Sequence, residues 1–226
     1  MTTLIAEDLL LLLLDDDLGT TTSSYIDTVL GGAVLMDLAL GGAVTVEPKT
    51  RAWRSAKVRP EPDTTPEDPL LRAALATVAE KERSAQDLVG RLGKGIKVEL
   101  ADRLVARGIL DRQDDKVLGL FPRTRWPAVD SSHEEEVRRA LSAALIEGRE
   151  PDERTGALVA LLKSVDRAHK TVPREGLSSG EVRKRAKRIS EGAWAAKAVK
   201  DAIEGATAAI LAATTAATAG ATAAGS

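Results

Sequence analysis

The chain has 226 residues, 43% of them hydrophobic, no cysteine and a formal net charge of −2. That length supports a substantial core, and the lack of thiols excludes disulfide scaffolds, cysteine-ligated zinc and thiol catalysis. With only five aromatic residues (Tyr25, Trp53, Phe121, Trp126, Trp194), the interior must be filled by Leu, Val, Ile and Ala, which points to helix packed on helix and a mostly α fold.

Leu4 to Leu14 forms the first element. Its six consecutive leucines, Leu9 to Leu14, follow Glu7 and Asp8 and precede Asp15, Asp16 and Asp17. A spanning helix requires about 20 apolar residues, and a signal peptide requires a basic start. This run is too short for the first and has the wrong flanks for the second. A segment apolar on every face belongs where it is covered all round, so it is predicted to be the central element of a core. DDDLGTTTSS reads as a turn-rich loop. A second helix then runs from Ile26 to Leu40, with Leu30, Val34 and Leu38 at helical spacing and Gly41-Gly42 as its stop. Gly31 and Gly32 inside it cost about 1 kcal/mol each relative to alanine, a cost that close packing against a neighbour offsets.

Val44 and Val46 alternate with polar residues, the chain turns at Pro48 to Thr50, and it returns through Trp53 to Val58, the pattern of a β-hairpin. PEPDTTPEDP follows as an exposed linker. Residues 69–127 then read as three helices and two short strands, the outline of a winged helix. Ser84, three residues before Asp87, is placed to cap the second of these helices, and Gly108 to close the third in a left-handed conformation. HEEEVRRALSAALIEG and ERTGALVALLKSVDR form a helical pair, and EVRKRAKRI begins another helix. The chain carries no charge from Ala206 to its end, but only Ile210 and Leu211 are strongly apolar there. This stretch is predicted to be a docked helix that frays into a disordered end, not a membrane span. The expected organisation is one mostly α domain over 1–213, with a winged-helix-like middle and one or two short β-hairpins, and an Ala/Thr-rich disordered tail over 214–226.

The sequence lacks the signatures of catalysis. There is no GxxxxGK phosphate loop, GxGxxG turn or GxSxG elbow. The acidic runs Asp15-Asp16-Asp17 and Glu134-Glu135-Glu136 read as solvated, because contiguous acids on a helix point in different directions. His133 and His169 have no second ligand at metal spacing and read as surface residues. No enzyme, metal or cofactor is expected. Charge is nonetheless uneven: residues 1–48 hold eight acids and no Lys or Arg, whereas 174–200 hold eight basic residues and three acids.

Several stretches taken together resemble the Golgi phosphoprotein 3 family of phosphoinositide-binding Golgi adaptors, whose domain also occurs in actinobacterial proteins. AEDLLLLLLDD resembles the family's acidic-then-leucine first helix, and GAVLMDLALGGAVTVE its second helix running into a strand. LADRLVARGIL followed by LGLFP resembles its helix, glycine turn and strand, and ERTGALVALLKSVD and RKRAKRISEG its later helices. The resemblance covers about Leu4 to Ala213 in the same order, and the composition fits an actinobacterial member. It implies a flat basic face toward a membrane and a site for the phosphate of phosphatidylinositol 4-phosphate. In the family that site is built from a tryptophan, an arginine on the second helix and two arginines three apart. Here the arginine pair corresponds to Lys94 and Lys97, the second-helix arginine to Gly31, and the tryptophan to Tyr25 or Thr22. The resemblance also implies a hydrophobic hairpin used in self-association and membrane contact, matching FPRTRWPAVD, with Trp126 at or near its tip between Arg123, Arg125 and the turn.

Physical chemistry supports an anion site at the lysine pair independently. The first turn of a helix carries unpaired N–H groups and a partial positive charge, and lysines at i and i+3 share a face. The basic run Arg183, Lys184, Arg185, Lys187 and Arg188 adds attraction to an anionic bilayer of about 1 kcal/mol for each residue that faces it. The leading reading is therefore a cytoplasmic protein bound peripherally to the inner face of a membrane. It recognises anionic or phosphorylated lipid headgroups, self-associates through the hairpin, and serves as an adaptor for membrane-protein cargo. An alternative is a winged-helix DNA-binding regulator, with Lys94, Lys97, Arg103 and Arg107 on its third helix and Arg123 and Arg125 on the wing. The isoelectric point of about 5.9, together with Glu99 and Asp102 on that same helix, argues against nucleic acid. The third reading is a non-enzymatic oligomeric scaffold.

Overall fold

The computed structural model describes residues 3–14, 19, 25–47, 56–117, 121–192, 201, 203–212 and 214–215. The leucine run forms α1 (Ile5–Leu13), and Leu9, Leu10, Leu11 and Leu12 are all buried. Leu4, the residue before the helix, has no side chain able to cap it. The first N–H groups are satisfied from elsewhere: Ile5 and Ala6 donate to the two carboxylate oxygens of Asp37 at 2.9 and 3.1 Å, and Leu4 donates to Glu7 at 2.8 Å. Asp37 belongs to α2 (Ile26–Leu40), so the second helix caps the first.

The residues predicted for α2 are those observed, and its glycines explain the packing. A Cβ on Gly31 would lie 2.1 Å from the Val89 carbonyl oxygen, and one on Gly93 would lie 2.1 Å from the Asp27 carbonyl oxygen. The backbones of α2 and α4 (Ala85–Gly93) are therefore in direct contact, which only hydrogen in place of a side chain permits. On its other flank α2 meets the helical residues 203–212, where a Cβ on Gly32 would come within 2.6 Å of the Ile210 side chain. Ile203, Ala206, Ala209 and Ile210 are buried, so this part of the C-terminal stretch docks as predicted. Residues 214–215, the first two of the expected disordered tail over 214–226, are helical, and the rest of that tail lies outside the described residues.

Strands β1 (Val44–Glu47) and β2 (Lys57–Pro60) pair antiparallel with Val46 opposite Val58, as the alternation predicts; the turn and Trp53 lie outside the described residues. A third strand, β3 (Arg83–Ser84), joins β2. Two residues carry no readable periodicity, so pattern reasoning misses it. The winged-helix outline is present as α3 (Pro69–Ala79), α4, α5 (Ile96–Ala106), β4 (Gln113–Val117) and β5 (Phe121–Arg125). Asp68 caps α3, Ser84 accepts from the Asp87 N–H at 3.2 Å to cap α4, and Gly108 is left-handed. Beyond them lie α6 (Ser132–Ser142), which widens into a π-helical segment at Ala143–Glu147, then α7 (Glu153–Ser164), α8 (Ala168–Thr171) and α9 (Ser179–Ser190).

The result is a mostly helical fold with two small antiparallel sheets. The first helix packs against α2, α5, α6 and α7; α4 lies across α2, and α9 lies across α7. Among the described residues, no helix is long and apolar enough to cross a membrane. Because a Cβ at position 31 overlaps backbone atoms that no side-chain rotation can move, Gly31→Ala is expected to destabilise the fold by about 2 kcal/mol or more. Urea unfolding followed by circular dichroism checks this, and a loss no larger than that of an exposed Gly→Ala change, such as Gly90→Ala, contradicts the close crossing.

Candidate functional site

The start of α2 and the start of α5 flank the crossing at Gly93. Tyr25 precedes α2 and is half-buried, and Asp27, the second residue of that helix, touches Gly93 through its backbone. The chain leaves α4 at Lys94, turns through Gly95 in the left-handed conformation (φ 76°), and enters α5 at Ile96. Neither α2 nor α5 has a side-chain cap, whereas α3, α4, α7 and α9 each begin on an aspartate or serine that accepts from their first N–H groups. Two helix N-termini without side-chain caps thus meet beside Lys94 and Lys97, and both contribute positive partial charge there.

The two lysines do not share one helical face, as their spacing had suggested. Lys94 is exposed in the extended cap position of α4, and the left-handed Gly95 separates it from Lys97, which sits in the first turn of α5. Lys97 is half-buried, with its ammonium 5.1 Å from the ring centroid of Trp126 in a cation–π contact. Burial holds its pKa below the ordinary lysine value, and the nearby Asp27 carboxylate pulls it back up.

Trp126 is therefore not the exposed tip of a hairpin. It lies just past the end of β5 with 5% of its surface exposed, and its backbone N–H donates to the Gly19 carbonyl at 2.9 Å. Its indole N–H meets no acceptor among the described residues. Residues 118–120, between β4 and β5, lie outside the described residues, and Trp126 follows the end of β5. The neighbouring arginines are not available to a ligand either. Arg123 makes a two-pronged contact with Asp115 at 2.9 and 2.7 Å, and Arg125 approaches the same carboxylate at 3.0 Å. Thr22, the other position considered for the family's aromatic residue, lies outside the described residues.

The sequence profile of Golgi phosphoprotein 3 (GPP34) matches residues 5–206, nearly the whole of the described chain. The chain belongs to the Golgi phosphoprotein 3 family. Comparison with curated proteins gives no match. Membership accords with a non-enzymatic, adaptor-type protein. The resemblance also makes Gly31 informative: at the position it matches to the second-helix arginine, the backbone of α4 leaves no space for any side chain.

In this member the five-residue basic run of α9 divides into two groups. Arg183 grips Asp166 at 2.7 and 2.8 Å and approaches His169, and Arg185 donates to the carbonyls of Leu145 and Ile146 at the end of the π-helical segment. Lys184, Lys187 and Arg188 remain exposed at i, i+3 and i+4 spacing on one face. The histidines are not bland surface groups. His169 is buried, and its pKa is lowered by that burial and by Arg183. His133 contacts Asp8 at 2.7 Å.

Sequence reasoning missed the buried charges that organise the molecule. Glu7, with no exposure, accepts from Arg103 at 2.8 Å and lies 2.8 Å from Arg107, both on the α5 side. Arg103 also contacts Asp68 at 2.6 Å. Asp8, 1% exposed, accepts from Arg154 of α7 at 3.0 Å as well as meeting His133 of α6. The available signal was the acidic pair at the edge of a wholly apolar run, which a core cannot accept without partners. Among the described residues there is no group of acids and histidines suited to a metal ion.

Burial raises the Asp37 carboxyl from its ordinary 3.8 to about 7, against the opposing pull of the Ile5 and Ala6 N–H donors. The folded chain then keeps a proton that the unfolded chain has released, so this group's contribution to stability falls as pH rises from about 4 to about 7. Asp37→Asn cannot titrate. The stability difference between the two proteins is expected to shift toward the variant by roughly 4 kcal/mol across that range. Urea melts at several pH values measure the shift, and a difference that stays flat with pH shows that the carboxylate is ionised throughout.

Proposed function

We propose that the chain is a peripheral membrane protein that takes an anionic or phosphorylated lipid headgroup, of the phosphatidylinositol 4-phosphate type, at the junction of Tyr25, Lys94 and Lys97. It would work at the cytoplasmic face of a membrane as an adaptor. The observation that carries this reading is the meeting of two helix starts without side-chain caps beside two lysines. An anion there completes N–H groups from both helices and offsets the cost of burying Lys97. The buried Gly31 removes one phosphate contact expected from the family, and a lysine pair lacks the two-pronged grip of arginines. Both differences favour recognition by charge over recognition by headgroup stereochemistry. Val98, 45% exposed in the turn that carries Lys97, adds an apolar contact for the interfacial region of the bilayer.

The same geometry counts against DNA binding. Arg103 and Arg107 of the recognition-helix position are spent on Glu7 and Asp68, and the wing arginines are spent on Asp115. Phosphate contacts on a duplex need cations that are not already neutralised.

Replacing Lys94 and Lys97 together by Glu is expected to abolish flotation with vesicles containing phosphatidylinositol 4-phosphate, whereas Asp27→Asn, which removes the competing carboxylate, strengthens it. Lys94 is exposed and Lys97 half-buried, so circular dichroism of each variant confirms folding. Unchanged flotation of the double-lysine variant refutes the assigned site.

A further inference from the structure

A second basic site lies on the other side of the fold. The π-helical segment ends at Gly148, and the loop that follows runs beside α9. Between them is a depression of about 250 Å³ lined by Arg149, Arg185 and Arg188, with Ala144, Ile189 and Pro151 as its apolar part. We propose that this depression binds a phosphate group, as a phosphomonoester, through the guanidinium groups of Arg185 and Arg188, with Arg149 exchanging its solvent-exposed Glu147 partner for the phosphate.

Three observations converge on that chemistry. First, Arg185 is fixed in place: one of its terminal nitrogens donates to the carbonyls of Leu145 and Ile146, which holds the guanidinium plane at the depression's wall while its other N–H groups are left for a ligand. An arginine anchored in this way gives a planar fork without further ordering cost, the geometry that suits phosphate oxygens. Second, Arg188 is exposed on the next turn of α9 with no carboxylate partner among the described residues, unlike Arg183 on the same helix. Third, the lining itself carries more cations than acids, although Glu181 on α9 also acts on Arg185 from outside it. Glu147 pairs with Arg149 at 2.7 Å, leaving Glu150 as the one acidic side chain on the lining itself. Like charges gathered round one concavity repel each other, and a dianion relieves that repulsion. Lys184 and Lys187 extend the positive field along the exposed face of α9. The site is distinct from the Lys94 and Lys97 junction, because α2 and α7 both lie between α4 and α9 in the packing order.

The shared chemistry is a phosphomonoester, supplied either by a lipid headgroup such as phosphatidic acid or by a soluble phosphate compound. The test uses the full chain carrying Lys94→Glu and Lys97→Glu, so that the junction site is silent whatever its own role. Inorganic phosphate is titrated while the arginine side-chain N–H resonances are followed by NMR. The expected result is saturable movement of the Arg149, Arg185 and Arg188 signals, with affinity reduced about tenfold or more when Arg149 and Arg188 are both changed to Glu. Both positions are exposed, and Arg185, which supports the fold, is left intact. Vesicles of phosphatidylcholine with a minor fraction of phosphatidic acid form the second arm. Flotation that disappears with Arg149→Glu/Arg188→Glu assigns the phosphate to a lipid, and phosphate binding without flotation assigns it to a soluble compound. Weak, non-saturating shifts spread over all arginines, or binding unchanged by Arg149→Glu/Arg188→Glu, overturn the proposal.

Discussion

The structure depends on how two carboxylates are accommodated in the first turn of a leucine helix. Glu7 and Asp8 are carried into the interior because they share α1 with Leu9 to Leu12, and a buried charge without partners costs several kcal/mol. The partners come from three other helices: Arg103 and the adjoining Arg107 from α5, Arg154 from α7, and His133 from α6. Asp37 of α2 supplies the acceptors that α1's own N-cap lacks. Each helix that touches α1 is thus held by a directional polar contact as well as by apolar packing. Leucine side chains alone permit sliding and rotation; the bonds to Glu7 and Asp8 fix where each neighbour sits along α1. That register in turn sets where α5 begins, and so where Lys97 stands relative to α2.

The elements with a strong period or a capping residue were legible in the sequence. The leucine helix, the bounds of α2, the paired strands β1 and β2, and the order of helices and strands from Pro69 to Arg125 all follow from spacing and caps. The glycine pair of α2 correctly indicated a close neighbour, though not which one. Features that depend on contacts between distant residues were not legible. Lys94 and Lys97 have helical spacing, but one left-handed glycine between them breaks the helix, and nothing in a spacing rule records that. Trp126 sits between basic residues in a segment rich in turn formers, a context that reads as exposed. It is buried because the strand before it delivers the ring under Lys97 and against the Gly19 backbone. The ion pairs of Glu7 and Asp8 span 96 and 146 residues, beyond the reach of any local pattern.

The paired arginines carry a related lesson about charge counting. A linear reading of residues 69–127 finds enough cations for a nucleic-acid surface, and a reading of α9 finds five for a membrane. Folding neutralises most of the first set and anchors two of the second, so the electrostatic surface is much sparser than the composition. Among the described residues, the cations of these two stretches that stay exposed outside an ion pair include Lys94 and the face of Lys184, Lys187 and Arg188, in two separate places. A domain of nearly balanced net charge can therefore still offer local attraction to anions, because its acids are used inside the fold.

The long reach of the α1 contacts also bears on how the chain is made. The leucine helix leaves the ribosome before the helices that supply its partners, and Arg154, which neutralises Asp8, is synthesised 146 residues later. Until α5 and α7 have been made, the leucine helix has neither those covering helices nor its arginine counter-ions. Its two carboxylates are hydrated during that interval and resist both self-association of the leucines and their entry into a bilayer. The acids that later lock the finished core thus act earlier as gatekeepers of the nascent chain, and the same two side chains serve both stages because burial reverses what surrounds them.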